Sequence, residues 1–182
     1  MKRQFKISYK NQLSVASHAW ISLILLVILY TAIFGTSLTL GTFVGFGFYF
    51  FISLGPAIFL HTQYYFLNKN VTIFVDVDQK EITYQRGRKA KTTSFSEIES
   101  LENVVSYGGG KVAPGWYGFG PYTYSAVNLK NGSAIIFTRL MNTDIPESLE
   151  LILKRPSVRK AKLLATISRN YKRKLILYEA TD

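Results

Sequence analysis

The chain has 182 residues, no cysteine, and 22 Lys and Arg side chains against 11 Asp and Glu, a formal net charge of +11. The lack of cysteine excludes disulfides, thiolate metal sites and cysteine nucleophiles. Residues 1–17 carry a net charge of +4, residues 69–153 carry none and residues 154–182 carry +7, so the basic excess lies at the two ends.

Residues 11–68 contain no Lys, Arg, Asp or Glu. Two apolar blocks in this run predict membrane helices at about 17–34 and 42–60, because about 20 apolar residues span a hydrocarbon core of about 30 Å. The short connection at 35–41 predicts an antiparallel helical hairpin over 18–62. All cations lie outside this hairpin, so the positive-inside rule predicts a multi-pass membrane protein with both termini in the cytoplasm.

Two features inside the second block predict local packing. Gly41 and Gly45 form a GxxxG pair, which lets helix backbones approach closely. We expect this pair to pack the two helices of the hairpin, or alternatively two copies of the chain. Gly55-Pro56 predicts a kink, because proline removes a backbone donor and clashes with the preceding turn.

The pattern changes after the hairpin, where apolar residues alternate with polar ones. This alternation predicts strands at 71–77, 80–86, 89–95, 101–107, 122–130 and 133–140. Asn131-Gly132 predicts a two-residue β-hairpin turn, and Pro146 opens an amphipathic helix. The order predicts an α+β protein with a domain at 69–155, built as a bent antiparallel sheet or barrel with the helix over an open end.

The ends of the chain are predicted as separate basic segments. Residues 1–17 form an N-terminal segment in which alternation at Phe5, Ile7 and Tyr9 indicates a short strand or an interfacial stretch. Residues 156–182 predict a basic amphipathic helical tail, with apolar residues recurring at helical spacing from Leu164 to Tyr178.

Several motifs together suggest a known family: Ser96-Glu97-Ile98, WYGFG at 116–120, AVNLKNG at 126–132 and IIFTR at 135–139. With the helical hairpin and the closing helix, the stretch of about 18–155 resembles the bacterial pleckstrin-homology-like (PH-like) membrane proteins. The resemblance implies a PH-like fold of seven strands, six of which the alternation identifies and the other of which is expected in the GGG-containing loop. It also implies a setting in a bacterial inner membrane. It supplies no catalytic residue and no cofactor.

Basic side chains at two places are candidate contacts to anionic lipid. One set lies on a predicted turn between strands, where the alternative is a solvated tip, and comprises Arg86, Arg88, Lys89 and Lys91. The other lies on the predicted tail, next to an anionic leaflet that attracts cations, and comprises Arg159, Lys160, Lys162, Arg169, Lys172 and Arg173. For the tail, the alternatives are a protein partner, self-association, a solvated tail or a nucleic acid, and we expect no nucleic acid.

The glycine-rich stretch at 108–121 carries Trp116, Tyr117 and Phe119. These aromatics predict an anchor for the membrane interface or for a partner, or alternatively a loop folded back over the sheet. The stretch lacks the spacing of a phosphate-binding loop. The domain also has no histidine, and its acids are scattered, so we expect no catalytic, metal or cofactor site.

The sequence therefore predicts a non-enzymatic integral membrane protein whose cytoplasmic PH-like domain is a protein-interaction or scaffolding module. Two alternatives are an accessory subunit of a membrane transport or envelope complex and a sensor of anionic lipid. The expected partners are the lipid bilayer with anionic headgroups and a protein partner or second copy of the chain.

Overall fold

The computed structural model describes residues 1–35, 39–106 and 119–167. Its helices are α1 (Tyr9–Phe34), α2 (Leu40–Tyr49), α3 (Gly55–Asn68) and α4 (Ile145–Leu153), with a π-helical turn (Phe50–Leu54) joining α2 to α3. Its strands are β1 (Lys2–Lys6), β2 (Val71–Asp76), β3 (Glu81–Arg86), β4 (Lys89–Ser94), β5 (Ile98–Ser106), β6 (Thr123–Leu129), β7 (Ala134–Thr138) and β8 (Val158–Lys162).

The strands form two four-stranded sheets. The first has the order β1-β2-β3-β4 and is antiparallel, and the second has the order β7-β6-β5-β8, with β8 parallel to β5. The predicted α+β class is confirmed, as are the six predicted strands and the closing helix α4. Over the described ranges the sheets do not close into a barrel.

Two strands are formed in addition to the six predicted, β1 and β8, and β1 lies before the helical hairpin, in the segment expected to stand apart from the domain. β1 pairs with β2 from Lys2 opposite Asp76 to Lys6 opposite Thr72. The helical hairpin is therefore inserted between two neighbouring strands of one sheet. The direct pairing of β1 with β2 keeps the two ends of the hairpin beside each other.

A first apolar core lies between the two sheets and under α4. Its central aromatic pair is Phe5 of β1 and Phe137 of β7, whose rings meet edge to face with centroids 5.4 Å apart. Leu149, Ile152 and Leu153 form the buried stripe of α4, as its periodicity predicts. The helix thus covers this core, and β1 is needed to complete it.

The helices of the hairpin are longer than predicted. α1 begins at Tyr9, where the hydroxyl oxygen of Ser8 accepts the backbone N–H of Asn11, and the second membrane-length helix runs from Leu40 to Asn68. The predicted interruption at Gly55-Pro56 takes the form of the preceding π-helical turn. Both helices are long and apolar enough to cross a membrane, and little of either is buried within the protein.

The predicted helical tail is wrong over Val158–Lys162, which form β8. This segment pairs with β5 from Glu102 opposite Val158 to Ser106 opposite Lys162, and the Nζ of Lys160 lies 2.9 Å from a Glu102 carboxylate oxygen. Pairing with an existing sheet gives the backbone N–H and C=O groups hydrogen-bond partners. It avoids the unfavourable nucleation step that a short isolated helix requires. Residues 163–167 of the predicted tail are not helical either, and residues 168–182 lie outside the described residues.

We expect Phe5→Ala to destabilise the protein by about 3–5 kcal/mol, the usual cost of emptying a buried phenylalanine site. Thermal unfolding of the full chain in detergent, followed by near-ultraviolet circular dichroism, measures this effect. The exposed neighbour Gln4 provides the control, because Gln4→Ala should change the stability by no more than about 0.5 kcal/mol. Equal Tm values for the two variants would contradict the assignment of β1 to the core.

Candidate functional site: the hairpin base

Strands β6 and β7 of the second sheet are buried on both faces. All five residues of β7 are buried, with Ile135 and Phe137 in the first core and Ala134 and Ile136 on the opposite face. An antiparallel sheet commonly leaves one face in water. Here the opposite face is covered by the hairpin base, by which we mean residues 9–19 of α1 and 57–68 of α3.

The contact between the hairpin base and the sheet is a second apolar core. The hairpin contributes Val15 and Ala19 from α1 and Ala57, Leu60 and Tyr64 from α3. The sheet and its flanking segments contribute Val104, Phe119, Tyr122, Tyr124, Ala126, Ala134, Ile136, Leu140, Ala165 and Ile167. Small residues on the helices let the sheet approach closely, so the hairpin and the domain are packed as one body.

Residues 163–167, which follow β8, are bound to α3 by hydrogen bonds. The hydroxyl of Tyr64 donates to the carbonyl oxygen of Ala165 at 2.6 Å. The Gln63 amide oxygen accepts the backbone N–H of Ile167 at 2.9 Å, and its amide nitrogen donates to the Ile167 carbonyl at 3.4 Å. Gln63 therefore pairs with both backbone groups of Ile167, much as a neighbouring strand would.

Two further polar side chains of α3, Asn68 and His61, also bind the domain. Asn68 donates from its amide nitrogen to the Ile136 carbonyl at 3.4 Å and accepts the Thr138 hydroxyl at 2.9 Å. Nδ1 of His61 lies 3.1 Å from the Tyr122 hydroxyl. Because buried polar groups are costly unless they are bonded, these contacts fix the sheet on the hairpin in one arrangement.

Two tyrosines of the sheet line this contact. Their rings pack against Tyr64, with centroids 5.9 Å away for Tyr122 and 6.2 Å for Tyr124. Burial raises the pKa of Tyr122 well above its ordinary value. Burial, and secondarily the charge of Glu102, raise the pKa of Tyr124 to about 12. Both phenols are thus neutral near pH 7 and act as hydrogen-bonding groups.

The structure places the predicted basic turn at the end of α3 that is farthest from the hairpin tip. Arg86 is opposite Lys89 across the β3–β4 pair, and Lys91 is opposite Tyr84. The turn itself is Gly87-Arg88, and the backbone N–H of Gly87 donates to the Asn70 carbonyl at 3.2 Å. A lipid-binding role for these cations stays a prediction.

The other predicted site residues are divided between β8 and segments outside the described residues. Arg159 is exposed on β8, and Lys160 is paired with Glu102. The Nζ of Lys162 lies 3.4 Å from both the Tyr124 hydroxyl and the Thr166 carbonyl oxygen. Phe119 is buried in the second core. Trp116, Tyr117, Arg169, Lys172 and Arg173 lie outside the described residues.

The predicted packing of the two hairpin helices through Gly41 and Gly45 is not formed. Both glycines are exposed, and no atom outside the local backbone lies within 4 Å of the position that a Cβ would take at Gly45. α1 instead contacts the neighbouring face of α2, which carries Thr42, Phe46 and Tyr49. The Tyr30 hydroxyl binds Thr42, and the Ser22 hydroxyl lies 2.5 Å from that of Tyr49. Packing of this glycine pair on another chain stays a prediction.

The comparisons with known proteins agree with this architecture. A family model described as a PH domain matches residues 2–145, from β1 through the helical hairpin to the start of α4. No curated protein and no solved structure matches the chain. Among the described residues, no group of three or more His, Asp or Glu is placed to hold a metal ion.

We expect Tyr64→Phe to lower the free energy of unfolding by about 1–3 kcal/mol, because it leaves the buried carbonyl of Ala165 without its donor. Hydrogen–deuterium exchange of the segment containing residues 163–167 should become faster in the same variant. The matched control is Tyr65→Phe, because Tyr65 is the next residue of α3 and is only half-buried. This variant should leave the free energy of unfolding and the exchange rate near the wild-type values. Unchanged exchange in Tyr64→Phe would contradict the role given to this hydroxyl.

Proposed function

Because the chain belongs to the PH domain family, we propose that it is a non-enzymatic membrane protein whose PH domain acts as a protein-interaction or scaffolding module. The helical hairpin crosses the membrane, and the domain stands on its cytoplasmic face. The observation that carries the proposal is the packing of the hairpin base on the second sheet. A domain fixed in this way presents a constant surface to a partner.

Membrane insertion is supported by the apolar side chains that the hairpin exposes beyond its base. Soluble monomers rarely expose an apolar patch larger than a few hundred Å². Here the exposed apolar residues surround both helices over most of their length, so hydrocarbon is the medium that suits them. They are Trp20, Ile21, Ile24, Leu25, Val27, Ile28, Leu29, Ile33 and Phe34 on the first helix and Leu40, Phe43, Val44, Phe48, Phe50, Phe51 and Ile52 on the second.

The orientation is supported by charge and by strand pairing. β1 and β2 are neighbours in one sheet, so the two ends of the hairpin must lie on the same side of a membrane. Residues 1–17 carry +4 and residues 154–182 carry +7, whereas residues 35–41 at the tip are uncharged. In the proposal, the positive-inside rule therefore places the domain in the cytoplasm.

The surface proposed to meet a protein partner is the first sheet. Its open edge is β4, whose Lys89 and Ala90 are exposed. The adjoining turn carries the exposed Arg88 at the end of α3 farthest from the hairpin tip. An acidic segment of a partner would complement these cations, and it could pair with the backbone of an edge strand.

The topology can be tested by single-cysteine labelling, since the natural chain has no cysteine. We expect a membrane-impermeant maleimide added to intact cells to label Ser37→Cys in the hairpin connection. The exposed Lys130 of the β6–β7 turn supplies the matched position, and Lys130→Cys should react only after the membrane is permeabilised. Labelling of Lys130→Cys, with protection of Ser37→Cys, would reverse the proposed orientation.

A further inference from the structure

We propose that the hairpin base is itself a lipid-binding surface, which docks into the headgroup layer of an anionic leaflet. The surface consists of two exposed leucines, each close in sequence to a lysine: Leu13 with Lys10 on α1, in the hairpin base, and Leu163 with Lys162, where β8 ends and the segment bound to α3 begins. This inference rests on the membrane insertion proposed above. It differs from the sequence-based prediction, which assigned the lipid contact on the domain to the turn around Arg88.

The lengths of the helices place the hairpin base at the level of the headgroups. α1 has 26 residues, and the second helix has 29. At about 1.5 Å per residue they are about 39 and 43 Å long. A hydrocarbon core is about 30 Å thick, and a whole bilayer with its headgroups is about 40–45 Å thick. With the hairpin tip at the far edge of the hydrocarbon core, the two helices therefore extend about 9 and 13 Å beyond the core at the other edge, and their turns there lie at the level of the headgroups.

Leu163 belongs to this level because the segment that follows β8 runs beside α3. Ala165 and Ile167 are bonded to Tyr64 and Gln63. Gln63 lies about 35 Å from the start of the second helix at Leu40, or about 5 Å beyond a 30 Å hydrocarbon core. Leu13 lies about 32 Å along α1 from Phe34, so it is about 2 Å beyond a 30 Å hydrocarbon core. Both leucines thus fall where the acyl chains meet the headgroups.

The exposure and charge of these residues suit that position. The Leu163 side chain is 75% exposed, and that of Leu13 is 51% exposed. The contacts of Lys162 with the Tyr124 hydroxyl and the Thr166 carbonyl hold its ammonium group beside this surface. The nearby acid Glu102 is paired with Lys160. An apolar side chain beside a cation is the combination that binds an anionic leaflet.

The turn around Arg88 is too far from the bilayer to make the same contact. The Gly87 backbone N–H is bonded to the carbonyl of Asn70, which follows the last residues of α3. Asn70 lies about 45 Å from Leu40 along the helix direction, so it is about 15 Å beyond the hydrocarbon core. A headgroup layer is only about 5–7 Å thick on each side.

The experiment uses the full chain carrying one cysteine labelled with an environment-sensitive fluorophore. The protein is reconstituted in vesicles of phosphatidylcholine containing phosphatidylglycerol. We expect the label at Leu163→Cys to emit at a shorter wavelength than in water, and to be quenched by lipids with a nitroxide near the headgroup. Leu151→Cys is the matched control, because Leu151 is 77% exposed on α4, and its label should report water.

Identical, water-like spectra at the two positions would overturn the inference. Phe48→Cys, near the end of α2 and about 12 Å along the helix from Leu40, distinguishes this failure from a failure of the proposed function. If Phe48→Cys is quenched by nitroxides deep in the acyl chains while Leu163→Cys reports water, the inference is wrong and membrane insertion stands. If Phe48→Cys also reports water, membrane insertion is wrong. A label at Leu163→Cys that is shielded but not quenched by lipid would indicate a protein cover, and would also overturn the inference.

The charge of the leaflet is tested by comparing vesicles with and without phosphatidylglycerol. The spectral shift at Leu163→Cys should be larger with phosphatidylglycerol, and the added Lys10→Gln substitution should reduce that difference. Lys130→Gln removes an exposed charge from the β6–β7 turn, and it should have no effect. Equal shifts in the two kinds of vesicle would overturn the assignment to anionic lipid.

Discussion

The side chains of β6 and β7 are buried on both faces of the second sheet, and the arrangement of the rest of the protein depends on this. α4 and the first sheet cover one face, and the hairpin base covers the other. If either cover were removed, apolar residues such as Ile136 or Phe137 would meet water, at a cost of about 25 cal/mol for each Å² exposed. The hairpin is therefore part of the domain's structure and more than a tether.

The polar contacts of the hairpin base add geometric precision to this apolar packing. Apolar surfaces can slide over one another at little cost, whereas Gln63 and Asn68 must each meet particular backbone or hydroxyl groups of the domain. A fully bonded polar network in a dry interface penalises every alternative arrangement. The orientation of the PH domain relative to the helices is therefore fixed by the same residues that hold the two together.

The sequence predicts local elements well and contacts between distant segments poorly. The alternation of apolar and polar residues predicted the strands from β2 to β7. The helical spacing of apolar residues in α4 predicted which face of that helix is buried. β1 has a single buried residue, Phe5, among exposed polar ones, so no pattern in five residues reveals its pairing with β2. β8 has exposed side chains throughout most of its length and reads as a basic helix, because its parallel pairing with β5 leaves no trace in its own residues.

Two signals in the sequence indicate the candidate site, and the argument from alternation overlooks both. The run Ala134-Ile135-Ile136-Phe137 has no polar residue at alternate positions, which indicates a strand covered on both faces. The polar Gln63 and Asn68 at the end of an uncharged helix indicate partners on another element. Neither signal names that element, because the pairing of Tyr64 with Ala165 joins segments about a hundred positions apart, and a single sequence does not encode such contacts locally.

The position of β1 has a consequence for biogenesis. During translation, β1 leaves the ribosome before the helical hairpin, and its partner β2 follows only after the hairpin has been made. In the proposed membrane topology, the first sheet can close only when the nascent chain has crossed the bilayer and returned. A chain whose hairpin inserts once instead of twice would leave β1 and β2 on opposite sides, each with an unpaired edge. Correct insertion is thus a precondition for folding, and misinserted chains would remain unfolded and open to proteolytic clearance.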